Sequence, residues 1–93
     1  MRQKMMIEPM TMTGKVRLPV EAKVIGCTWS KVSTVPVLMY MYDPNGGSVK
    51  DTVRSFATVS TGAVIDGEHQ LICQVPETDL FLFELFNDAK VTR

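Results

Sequence analysis

One histidine and two cysteines are the strongest nucleophiles or proton carriers that the chain offers. His69 stands between Glu68 and Gln70 in a polar stretch, with no serine or cysteine at a nucleophile elbow to partner it, and reads as a solvated loop side chain. Asp66 with Glu68, and Glu77 with Asp79, have spacings at which one carboxyl could serve as acid and the other as base. Alternate carboxylates between apolar runs read more simply as solubilising residues. Cys27 and Cys73 lie inside apolar, strand-like runs and not at metal-ligand spacing. They read as buried free thiols, and a bridge is open to them only if their strands are neighbours. Ser60-Thr61-Gly62 is too short for a phosphate-cradling loop and no helix pattern follows it, so it reads as a turn. The residues thus predict no metal, no cofactor and no catalytic constellation.

A second group is suited to binding. Trp29, Tyr40 and Tyr42 could stack a planar ligand or base, and Arg54 could pair with a phosphate. Brought together around an open pocket they would hold a nucleotide; the competing reading is that the aromatic rings pack in the core.

Ten Lys and Arg balance ten Asp and Glu across 93 residues, and the charges are scattered. Such a chain lacks the electrostatic footprint of a nucleic-acid or anionic-membrane binder. Zero net charge also leaves association with a second copy unopposed. After Arg2 and Lys4 the apolar pieces are broken by Glu8, Pro9 and Gly14, too short for a signal segment or a membrane span. The expectation is a single domain over residues 1–93, cytoplasmic, with polar residues from about 87 onward fraying.

The elements that must position these side chains read as strands, since no window shows the 3.6 period of a helix and the apolar runs are rich in Val, Ile, Thr, Phe and Tyr. Residues 36–58 hold the clearest signal: Asp43-Pro44-Asn45-Gly46-Gly47 has the chemistry of a tight turn, and the flanking runs predict a hairpin. Residues 4–12 predict an edge strand because of Pro9, and 15–18 a short half-buried one. In the run from Ala22 to Ser30, Gly26 marks a bulge, and Ile25, Cys27 and Trp29 share a face by period two. Ala63-Val64-Ile65 is a short strand or loop, Gln70 to Val75 alternates Leu71, Cys73 and Val75, and Asp79 to Phe86 is apolar on both faces. Six or seven short strands predict an all-β fold, an antiparallel β-sandwich or small barrel.

Val16, Leu18, Pro19, Ala22, Val24 and Ile25, then the nine residues from Pro36 to Pro44, then Arg54, Phe56, Thr61, Gly62 and Ile65, and finally Phe83, Leu85 and Phe86 follow a recognisable order. They resemble a small all-β domain family of unknown function, common in phage and bacterial genomes. The resemblance spans about three quarters of the chain, from Val16 to Phe86. Met39 replaces that family's tryptophan, Ser60 the first glycine of its loop, and Ala63 and Glu84 its histidines, so any shared histidine chemistry is lost here. The resemblance implies a common fold and a phage or mobile-element accessory role.

The expected function is therefore a non-enzymatic binding protein that acts on a host protein or sequesters a small ligand such as a nucleotide signal. The alternative is a minor structural or assembly protein that works by self-association. A homodimer is expected from the doubly apolar strands. Leu38, Tyr40 and Tyr42 oppose Val37, Met39 and Met41, while Phe81, Phe83 and Leu85 oppose Leu80, Leu82 and Phe86. A two-layer domain buries one face of each, and the tyrosines suit the outward one.

Overall fold

The computed structural model describes residues 2–11, 13–29, 35–45 and 50–92. Among them the chain is all-β, with nine strands and no helix. In order these are β1 (Lys4–Pro9), β2 (Lys15–Pro19), β3 (Lys23–Thr28), β4 (Val37–Tyr42), β5 (Asp51–Ser60), β6 (Val64–Asp66), β7 (His69–Gln74), β8 (Leu80–Leu85) and β9 (Lys90–Thr92). They form three antiparallel sheets: β1-β4-β3, β2-β5-β8-β7, and the small pair β6-β9.

The two larger sheets share one core. Val24 and Cys27 of β3 and Leu38 and Tyr40 of β4 meet Val16 and Leu18 of β2, Phe56 of β5 and Leu82 of β8. The shortest extent of the molecule is 21 Å. β3 and β7, an edge of each sheet, come together where the Cys27 and Cys73 sulfurs lie 3.3 Å apart as free thiols.

The predicted hairpin is not formed. Asp43 does open a turn, its Oδ1 accepting from the Asn45 N–H at 2.9 Å, and Gly46 and Gly47 lie outside the described residues. The strands on either side, however, belong to different sheets. β4 has β1 along one edge and β3 along the other, and β5 is likewise filled by β2 and β8. A turn signal marks where the chain bends; which strands then pair is decided by which edges are still open.

Two bulges correct the predicted facing. The β3–β4 register shifts between Val24 and Gly26, as the glycine signalled, and the extra residue changes the phase of the strand. Val24 and Cys27 both enter the core while Ile25 is left outside. The β7–β8 register shifts likewise between Leu71 and Cys73, leaving Leu71 exposed while Ile72 and Cys73 pack against the core. Pro9 sits on an edge strand as expected. Lys90–Thr92, within the tail expected to fray, pairs with Val64–Asp66. No helix among the described residues is long and apolar enough to cross a membrane.

Candidate functional site

The four residues suited to ligand binding have separate commitments. Arg54 points from β5 to the inner side of its sheet, where its Nε and Nη2 donate to the two carboxylate oxygens of Glu84 on β8, each at 2.7 Å. Its third arm donates from Nη1 to the Ala22 carbonyl, and the guanidinium lies 5.7 Å from the centre of the Phe56 ring. The pair forms part of the wall of an open groove of about 870 Å³, shared with Asn87 and Asp88. Both charges are consumed within the chain, so Arg54 presents no vacant fork to a phosphate.

Trp29, just beyond β3, is more exposed, and its Nε1 donates to the Pro76 carbonyl at 2.8 Å. Tyr40 and Tyr42 are neighbours on β4 with ring centres 5.9 Å apart. Tyr40 is only 7% exposed and belongs to the core, and Tyr42 packs against it. Burial pushes the Tyr40 phenol above its ordinary range, reinforced by the negative charges of Glu8 and Asp51. The expectation that tyrosines form the outer face is thereby corrected: even positions of β4 face inward, which sends Met39 and Met41 outward.

His69 is exposed, with Nδ1 2.8 Å from the Gly67 carbonyl and its ring edge-on to Phe83. The neighbouring Glu68 accepts from Asn87 at 2.9 Å. These contacts fasten the β6–β7 connection to the end of β8. Cys27 is buried, and desolvation, with the adjacent Cys73 thiol, pushes its pKa up to about 12. Among the described residues no three His, Cys, Asp or Glu side chains are grouped to hold a metal ion.

The surface with most to offer is the outer side of the three-stranded sheet. On β1, Met5 and Ile7 are 58% and 57% exposed, and they stand opposite Met41 and Met39 of β4. Ile25 of β3 is exposed beyond them, and the Met39 methyl lies across Gly26 within 3.2 Å of where a Cβ would stand. The result is a band of flexible apolar side chains running to an open sheet edge, a surface type that adapts to apolar partners. β1 pairs beside β4 and widens that outer face. Period two groups Met5 with Ile7 and Met39 with Met41, and the β1–β4 register puts the two pairs on one face.

Comparison of the chain with protein-family models, with curated proteins and with solved structures finds no match.

Proposed function

We propose that this chain works by contact and not by turnover, as a binding or assembly protein whose working surface is the three-stranded sheet and whose first partner is a second copy of itself. The observation that carries the reading is the exposure of Met5, Ile7 and Ile25 beside Met39 and Met41. Apolar side chains held outward on a sheet that ends in an open edge favour association in water. Zero net charge adds no repulsion. The resemblance to phage-borne domains supports a phage or mobile-element accessory or minor assembly role. Sequestering a nucleotide would require Arg54 to leave Glu84 and Tyr40 to leave the core, so the sheet surface is the better supported site.

Light scattering after size exclusion at micromolar concentration tests the proposal. The wild-type chain is expected as a dimer or larger species, and Met5→Glu, which places a charge on the exposed band, as a folded monomer whose melting temperature no longer depends on concentration. A wild-type chain that is monomeric at every concentration would overturn it.

A further inference from the structure

We propose that two copies of this chain pair antiparallel through β1, about a two-fold axis at Met6, so that two three-stranded sheets become one of six strands. This rests on the reading above, that the three-stranded sheet is the working surface, and adds the edge and register.

The direction of the backbone groups marks which residues of β1 can pair outward. The β1–β4 register runs from Lys4↔Tyr42 to Pro9↔Val37, and one step further Met10 N–H donates to the Pro36 carbonyl at 2.9 Å. Alternate residues of an antiparallel strand aim both backbone groups to the same side. Glu8, Met6 and Lys4 therefore bond to β4, and Met5, Ile7 and Pro9 aim theirs at the open edge. Pro9 falls on the outward phase, where its missing N–H removes nothing from the β4 ladder. Met5 and Ile7 are left offering a donor and an acceptor each.

The side chains select the register. With the axis at Met6, Met5 of one copy faces Ile7 of the other and the two exchange both backbone hydrogen bonds, twice over by symmetry. Lys4 then faces Glu8 of the second copy, and Glu8 faces Lys4. Lys4 is exposed and Glu8 half-buried, and the only ion pair among the described residues is Arg54–Glu84, so neither has an ion-pair partner among them. Moving the axis by one residue sets Lys4 against Met6 or Met10 of the second copy and loses the double match. Opposed charges across a strand pair attract and like charges repel. A strand whose cation and anion lie symmetrically about its centre is complementary to itself. The outer apolar bands of the two copies, exposed at Met5 and Ile7, also become continuous along the joined sheet.

Charge exchange tests the register. Lys4→Glu gives a β1 with two acids, Glu8→Lys one with two bases, and each alone turns both intermolecular pairs into repulsions. By sedimentation equilibrium each variant should dimerise about tenfold more weakly than wild type. An equimolar mixture should form a heterodimer of about wild-type strength, because each position then meets its opposite charge. A folding defect in either variant would not be cured by mixing, so recovery reports on the interface alone. If wild type dimerises but the mixture is no tighter than the single variants, the β1 register is wrong and the sheet reading stands. If wild type does not associate at all, both are wrong.

Discussion

A carboxylate in the run Leu80-Phe81-Leu82-Phe83-Glu84-Leu85-Phe86 is the least expected residue of the interior, and Arg54 is what makes it tolerable. Glu84 is 5% exposed, and both of its oxygens are taken by the guanidinium. Because Nη1 also bonds the Ala22 carbonyl, the pair ties the four-stranded sheet to the segment entering β3. Arg54→Ala would leave a buried charge unpartnered and should lower stability by about 3–5 kcal/mol. Replacing both residues, Arg54→Met with Glu84→Leu, should recover most of that loss. Urea unfolding of the two variants checks this, and a double variant as unstable as the single one would contradict it. Part of this pair was legible, since period two puts Arg54 in phase with Phe56 and Glu84 in phase with Leu82. What joins them is the Phe56↔Glu84 register of β5 and β8, a long-range match that neither strand specifies alone.

A second consequence at this scale concerns alkaline pH. The Cys27 thiol titrates near 9.0 in the ordinary case and near 12 when folded, because burial and then the Cys73 thiol disfavour its charge. The fold holds the neutral form, so this stabilising contribution is complete below pH 9, declines as the unfolded chain ionises, and is gone above 12. The raised Tyr40 phenol acts in the same direction. The melting temperature should fall across that window, and less steeply in Cys27→Ala. Identical slopes for the variant and wild type would show that Cys27 does not carry the effect.

At the scale of the element, the strands were legible and their partners were not. Apolar runs with β-branched and aromatic residues located most strands, and Pro9 and Gly26 identified an edge and a bulge. The hairpin failed because Asp43 and Asn45 report local bending, whereas pairing depends on edges supplied by β1, β2, β3 and β8. Val64 and Ile65 signalled β6 only as a short strand or loop, and β9, with Val91 between Lys90 and Thr92, fell in the polar tail expected to fray. Gly14 shows a different kind of constraint. It has φ of +81°, its carbonyl accepts from the Phe56 N–H at 2.7 Å, and a Cβ there would collide with the Phe56 carbonyl. Gly14→Ala should therefore destabilise by about 2 kcal/mol or more, read as a lower urea midpoint with an unchanged slope. No change in midpoint would mean that the chain entering β2 can relax away from β5.

For the whole molecule, the count of apolar faces was legible, and the assignment of inside and outside was not. β4 reads as doubly apolar, yet only the register with β1 and the bulge in β3 decide that tyrosines go in and methionines out. Tyr40→Glu is for that reason a core lesion and cannot probe the surface, whereas Met5 and Ile7 report on it directly. Action through the open edge of β1 is tested most closely by amide hydrogen exchange at Met5 and Ile7 followed against protein concentration. In a single copy no described strand pairs with either N–H group, so protection should appear at both together as concentration rises through the micromolar range, while Met6, bonded to β4, remains protected throughout. Met5 and Ile7 amides that exchange at the unprotected rate at every concentration would contradict the account.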